Sequence, residues 1–175
     1  AGVLASKLGL KVDKFIAATN ANDTVPAFLE TNIYQPKPSV QTLSNAMDVG
    51  NPSNWTRLMA FFNNDVNLLK EKIESYSFSD EETQKAIEEI YQAYTYIACP
   101  HTAIAWLAAK DYQAKKSNDK EAVLFLSTAH PCKFPEVFSE EIRSKITYPA
   151  SLEELKNKPA NKVLMNNDFD ALKNW

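Results

Sequence analysis

The sequence predicts an α/β protein in which helices cover a small parallel sheet, and two observations carry the prediction. Lys14 to Ala18 and Ala122 to Leu126 are short apolar runs, each leaving into a polar segment, which is how strands buried on both faces of a parallel sheet read. Around them lie stretches with apolar residues at helical spacing, several opened by capping signals. Strands far apart in sequence and joined by helices form an α/β layer pattern. Two strands make a poor sheet alone. More strands are therefore expected from polypeptide outside this chain, an expectation that fits a first residue pair, Ala1-Gly2, reading as the middle of a helix.

Residues 1 to 9 read as the end of a helix, with Val3, Leu4 and Leu8 on one face and Gly9 as its C-terminal cap. The strand Lys14 to Ala18 exits through Thr19-Asn20-Ala21-Asn22-Asp23. Asp23 or Thr24 then caps a helix whose first turn tolerates Pro26. Residues 32 to 54 are loop, because Pro36, Pro38 and Pro52 forbid a continuous helix. Trp55, Leu58, Met59, Phe62, Val66 and Leu69 recur at helical spacing. Ser79-Asp80-Glu81-Glu82 is a capping box, opening a helix with Ile87, Ile90, Tyr91, Tyr94 and Ile97 on one face. A helix follows from about Thr102 to Tyr112, with Pro100 just before it. Beyond the second strand, Glu136 to Lys145 reads as helix, Ser151-Leu152-Glu153-Glu154 as another capping box, and the tail from Asn161 is weakly determined. With no repeat, low-complexity tract or linker, residues 1–175 form a single domain-sized unit.

Composition narrows the function. Hydrophobic residues make up 45% and charged residues 23%, as in ordinary globular proteins. The 19 basic and 22 acidic residues give a net charge of −3, which lacks the basic stripe expected of a nucleic-acid binder. The apolar runs fall far short of the roughly 18 residues of a membrane span. Cys99 and Cys132 are isolated, so a disulfide framework is not expected and a reducing, cytoplasmic compartment is. No Cys or His spacing suits zinc. Glycine is confined to Gly2, Gly9 and Gly50, so the chain has no glycine-rich turn to cradle a phosphate.

In open parallel sheets ligands bind beyond the carboxyl ends of strands. The two polar exits, Thr-Asn-Ala-Asn-Asp and Ser-Thr-Ala-His-Pro, are thus expected to face one crevice. Asn22, Asp23 and Thr24 serve equally well as helix caps. Thr128 is the sharper candidate: a neutral hydroxyl at a strand end can bond a heterocyclic nitrogen without imposing a charge on it, although such a residue commonly turns back onto its own backbone. His101 and His130 invite a general-base reading, as histidine commonly does, yet both neighbour proline and read more readily as hydrogen-bonding pivots. Lys133 beside the Thr128 loop and Arg57 on its helix are cations that suit an anionic ligand, or solvated surface groups with packed stems.

Four segments, AGVLASKLGLKV (1–12), FIAATNANDTVP (15–26), TLSNAMDV (42–49) and LFLSTAHPCKF (124–134), occur in this order, with Pro100-His101-Thr102-Ala103 between the last two. Together they closely resemble the C-terminal region of bacterial threonine synthases; residues 135–175 match loosely. The resemblance implies a three-layer parallel-sheet domain of fold type II, similar to the tryptophan synthase β chain, that uses pyridoxal 5'-phosphate (PLP). It implies conversion of O-phospho-L-homoserine and water to L-threonine and phosphate. The Schiff-base lysine and the glycine-rich phosphate loop belong to the family's N-terminal region. This stretch is therefore expected to hold no catalytic lysine, to need that region as its partner and to be inactive alone. Thr128 matches the family's hydroxyl partner for the pyridine nitrogen. Asn20, Asn22, Asp23, Ser44, Asp48 and Arg57 match motif positions and are expected to line the site, with His130 and Lys133 beside Thr128. Cys132 replaces an alanine common in that loop. The alternatives are a related phospho-lyase releasing a keto acid, and a non-catalytic domain that kept the fold.

Overall fold

A computed structural model describes residues 2–116, 121–155, 158–160 and 162–175. Ala1 and Asn161, where the first helix and the tail were expected to begin, lie outside the described residues. The sheet has two parallel strands, β1 (Phe15–Thr19) and β2 (Ile73–Ser77), with Phe15 opposite Ile73 and Thr19 opposite Ser77. Successive side chains of β1 point to opposite faces. Phe15 and Ala17 pack with Phe28, Trp55, Phe62 and Leu69, whereas Ile16 and Ala18 pack with Ile104, Ala108 and Phe78. The first face is covered by α2 (Thr24–Thr31), α3 (Trp55–Phe61) and α4 (Val66–Lys72), and the second by α6 (Pro100–Ala114). Helix, sheet and helix thus form three layers, the helix-rich α/β arrangement expected.

The second strand is not where the apolar run put it. Ala122–Leu126 joins no ladder, and Leu124 and Leu126 are 87% and 63% exposed. Its expected place is taken by Ile73–Ser77, a polar-looking stretch in which only Ile73 is fully buried. Apolar content marks a need for burial, while pairing depends on which backbone lies alongside. Ala122–Leu126 nonetheless has a defined course. Tyr112 Oη donates to Glu121 Oε2 (3.1 Å) near the end of α6, and Thr102 Oγ1 donates to Ser127 Oγ (3.1 Å) near its start. Six residues therefore cover about 15 Å of helix, approaching an extended chain. α6 itself runs against β2: Ile104 near its start packs on Phe78, just past the strand, while Lys115 at its end reaches Tyr76 Oη (3.2 Å). The segment therefore runs antiparallel to α6.

Local chemistry sets the other boundaries. α1 (Gly2–Lys7) ends where Gly9, at φ 107°, lets the Leu10 amide donate to Ala5 and the Gly9 amide to Ser6, a Schellman closure. Val3 packs inward, but Leu4 and Leu8 are exposed, so their shared face is not buried against the described residues. The single periodic run from Trp55 to Leu69 is broken into α3 and α4. Asn63 and Asn64 adopt φ 55° and 58°, a conformation asparagine tolerates better than most residues, and Asp65 restarts the helix by accepting from the Asn67 and Leu68 amides.

The capping box forms as expected at the start of α5 (Asp80–Tyr94). Tyr94 is exposed and Ile97 lies past the left-handed Thr95 that ends the helix. Ile87 and Ile90 join Ala98, Cys99, Ala103, Phe134, Val137, Phe138 and Ile142 in one cluster, so the segment after Thr128 folds back onto the α5–α6 pair. The expected helix Glu136–Lys145 is divided: a 3-10 turn at Pro135–Val137, then α7 (Glu140–Arg143), separated by an extended Phe138. Ser151 forms no capping box, because it lies inside α8 (Ala150–Glu153), which begins after Pro149. α9 (Phe169–Lys173) is capped by Asp168 and has no buried residue. Among the described residues no helix is long and apolar enough to cross a membrane.

Candidate functional site

The exit of β1 is a buried polar network. Asn20 Nδ2 lies 2.7 Å from Ser44 Oγ, 2.9 Å from Thr42 Oγ1 and 3.0 Å from Asp48 Oδ1. An amide has two hydrogens for these three acceptors, so one is shared. Asn20 Oδ1 accepts from the Asn22 amide and from Asn22 Nδ2. Asn22 also grips the Val40 backbone at both groups, Nδ2 to O at 2.9 Å and Val40 N to Oδ1 at 2.8 Å. Asp48 accepts from the Thr42 hydroxyl (2.7 Å) and amide (3.0 Å) as well as from Asn22 Nδ2 (3.2 Å). A half-buried carboxylate fed by this many donors needs no cation.

This network straps the proline-rich loop to the strand end. Below it, Thr24 Oγ1 donates to Gly50 O (2.7 Å), and Gly50 N donates to Ser39 Oγ (3.0 Å). Lys37 N donates to the same Gly50 oxygen, and a Cβ at Gly50 would stand 2.1 Å from Lys37 O. Glycine is required here by contact rather than by dihedral angle. Asp23 sits at the N-cap position of α2 but makes no side-chain cap; its carboxylate pairs with Lys37 Nζ at 3.0 Å.

The second exit is built differently. Thr128 is exposed, and its hydroxyl makes no hydrogen bond to a described residue; it neither turns back onto its own backbone nor enters the apolar interior. Its neighbours are fixed. Ser127 Oγ accepts from Thr102 Oγ1 (3.1 Å) and from Tyr96 Oη (3.3 Å). His130 Nδ1 accepts from the Cys132 amide (3.2 Å), capping the 3-10 turn Pro131–Lys133. An Nδ1 that accepts leaves the proton of the neutral ring on Nε2. A cavity of about 260 Å³ lies behind this loop, lined by Tyr96, Ser127, His130 and Lys145 among others.

Thr102 also meets Cys99 Sγ at 3.2 Å. Burial pushes the Cys99 thiol up, but hydrogen bonding by His101 and Thr102 outweighs it and brings the group down to about 7. Both ring nitrogens of His101 are buried and meet no partner at hydrogen-bonding geometry; its ring packs on Phe134 at 5.2 Å. We therefore read its effect on the thiol as proximity rather than a formed bond.

The structure brings Asn20, Asn22, Ser44 and Asp48 into one network with Asp23 at its edge, and holds Thr128, His130 and Lys133 on another loop. No hydrogen bond or ion pair joins the two groups among the described residues, yet they border the same cluster. Leu43, between Thr42 and Ser44, and Ala129, next to Thr128, both pack against it. Arg57 is exposed on α3 and belongs to neither group, and Lys133 Nζ lies 5.9 Å over the Phe134 ring. Sequence reasoning missed Thr42, Thr24 and Gly50 as members of the frame. Gly50 carried a signal, as one of only three glycines in a loop already stiffened by proline.

The fold defines a class: a small parallel sheet within a helix-rich α/β unit, consistent with part of a fold-type-II PLP domain. Residues 102–175 match the family model described as threonine synthase, C-terminal. The whole chain is 39% identical to a threonine synthase of Buchnera aphidicola from Acyrthosiphon pisum, and covers 39% of that protein. It superimposes on the crystal structure of threonine synthase from Escherichia coli with a TM-score of 0.83 at 42% identity, over 99% of this chain and 39% of that one. A PLP-bound threonine synthase from Brucella melitensis, at 24% identity, shares the fold with a TM-score of 0.82 over 99% of this chain and 42% of that one. The chain spans about two fifths of the length of the curated relatives it matches.

Proposed function

We propose that this chain is the C-terminal portion of a threonine synthase, an enzyme that converts O-phospho-L-homoserine and water to L-threonine and phosphate with PLP. The observation that carries the reading is the uncommitted Thr128 hydroxyl, at the end of an apolar segment laid along α6. The cofactor, when bound, supplies an electron sink for carbanion chemistry. Thr128 would meet its pyridine nitrogen with a neutral hydroxyl, leaving the ring uncharged where an aspartate would protonate it. The donor set suits that end of the cofactor alone. Gly50, the one close-packed loop glycine, is filled by its own neighbour's carbonyl and offers no phosphate cradle.

The other roles rest on the family resemblance, with the hydrogen-bond network in support. Asn20, Asn22, Ser44 and Asp48 would form a rigid floor for the crevice, with Asp23 at its rim. His130 would offer an Nε2–H to an acceptor atom and Lys133 a cation to a phosphate-bearing substrate, whereas Arg57, outside both groups, keeps such a role by the resemblance alone. The Schiff-base lysine and the phosphate loop come from the N-terminal region of the longer protein, which is also the partner that gives Ala122–Leu126 a ladder. Two unpaired cysteines fit a reducing, cytoplasmic setting.

In the full-length protein, Thr128→Val is expected to shift the bound cofactor's absorption and to lower kcat about tenfold, by loss of one hydrogen bond used in the reaction. Unchanged spectra and kinetics would return Thr128 to a structural role. The 175-residue chain alone should form threonine only at background rate. Detecting a keto acid instead of threonine from the full-length enzyme would favour a phospho-lyase.

A further inference from the structure

We infer that Thr102 is a positioning residue that holds Thr128 in place through Ser127; the inference rests on the assignment of Thr128 proposed above. The segment from Glu121 to Ala129 makes no backbone hydrogen bond to another described residue. Within this chain the segment is held by side chains at its two ends, and the ladder proposed above would engage Ala122–Leu126 while leaving Ser127 and Thr128 to these ties. At the far end the tie is Tyr112 to Glu121. At the end that matters for Thr128, both ties fall on Ser127, from Thr102 and from Tyr96.

The two donors are not equivalent. Tyr96 is 48% exposed and bonds at 3.3 Å, so it competes with water. Thr102 is 1% exposed, sits in the first turn of α6 and bonds at 3.1 Å. Its hydroxyl is held in turn by Cys99, the N-cap residue, which is also 1% exposed. A rotamer fixed by burial and by a second partner transmits position, while a solvated one does not. The chain Cys99–Thr102–Ser127 therefore ties the residue before Thr128 to the buried start of α6. On the other side, the His130 cap on Cys132 fixes the residue two beyond. Thr128 is suspended between these two anchors with its hydroxyl free.

Thr102 Oγ1 donates to Ser127 Oγ and lies 3.2 Å from Cys99 Sγ, a contact in which either atom can be the donor. Ser127 Oγ accepts from Thr102 and from Tyr96. Removing the Thr102 hydroxyl leaves the buried Cys99 sulfur without this partner at one side and a loosened Ser127 at the other, and Thr102→Ser keeps both contacts.

The test uses the full-length protein with Thr102→Val, Thr102→Ser and Ser127→Ala, the last at an exposed position that can be changed without opening the core. Three readouts are needed: the absorption of bound PLP, kcat and KM, and the NMR backbone order parameters of residues 127–129 in the cofactor-free protein. Thr102→Val and Ser127→Ala are each expected to shift the absorption in the same direction as Thr128→Val. They should lower kcat by about fivefold, with KM changed less than about twofold, as expected for a lost orienting bond. Order parameters at 127–129 should fall in both, and Thr102→Ser should restore all three readouts. Wild-type spectra and order parameters in Thr102→Val, or failure of Thr102→Ser to restore them, would overturn the inference. If Thr102→Val does not fold, Ser127→Ala decides by the same readouts. If Thr128→Val itself leaves the spectrum unchanged, the parent assignment fails, and the order parameters still report whether Thr102 holds the segment.

Discussion

Gly50→Ala is expected to destabilise the protein by about 3 kcal/mol or more, since overpacking against backbone adds to broken hydrogen bonds. The new methyl would stand 2.1 Å from Lys37 O, 3.0 Å from Lys37 C and 3.2 Å from Pro38 C. All three atoms are main chain, so no side chain can swing aside. Pulling residue 50 away stretches the bonds from Thr24 and Lys37 to its oxygen and from its amide to Ser39. It also drags Asp48, two residues earlier, out of the Asn20 network. Gly9→Ala is the internal reference. Its Cβ meets nothing within 4 Å, so only the left-handed φ is charged against it, about 1 kcal/mol. Urea unfolding of the full-length protein followed by circular dichroism ranks the two. A Gly50→Ala midpoint no lower than that of Gly9→Ala would show that the loop yields where it is drawn as rigid.

Asn20→Asp is nearly isosteric and is expected to cost about 3–5 kcal/mol, the range for leaving buried charge uncompensated. It replaces an amide that donates to Ser44, Thr42 and Asp48 with a carboxylate that donates nothing when ionised. The new oxygen would face Asp48 Oδ1 at the 3.0 Å now spanned by a hydrogen bond. The 7% exposure of Asn20 gives water little chance to separate the two charges. Ser44→Ala removes one acceptor and no charge, so about 1 kcal/mol is expected for it. Equal urea midpoints for the two variants would mean that the network is looser or wetter than its distances say.

Some of this architecture was legible in the chain and some was not, for identifiable reasons. Ser79 and Glu82 announce a helix start because both halves of that motif lie within four residues. Gly9 announces a helix end because few other residues take its dihedral angles. By contrast, β2 hides in Ile73–Ser77, where Glu74, Ser75 and Ser77 dilute the apolar signal, and its identity depends on lying beside β1 58 residues earlier. Ala122–Leu126 looks more like a strand than β2 does, yet has no ladder partner among the described residues. Asn63 and Asn64 break a helix through which periodicity runs unbroken. At the site, Asn20, Asn22, Ser44 and Asp48 stood out through family resemblance, because bonds spanning 22 to 28 residues leave no local trace. Thr42 was passed over: its hydroxyl gains a role only when Asp48 comes within 2.7 Å.

The bare course of Ala122–Leu126 also bears on how such a polypeptide is made. A run of apolar β-formers with unsatisfied amides, edged by Leu124, Phe125 and Leu126, is a template for stacking identical molecules. Lys120 and Glu121 on one flank and Pro131 beyond the other are the kind of residues that discourage such growth. These gatekeepers matter most during synthesis and refolding, before the segment acquires a neighbour, and neutralising Lys120, which unlike Glu121 is not one of the ties described above, should favour inclusion bodies.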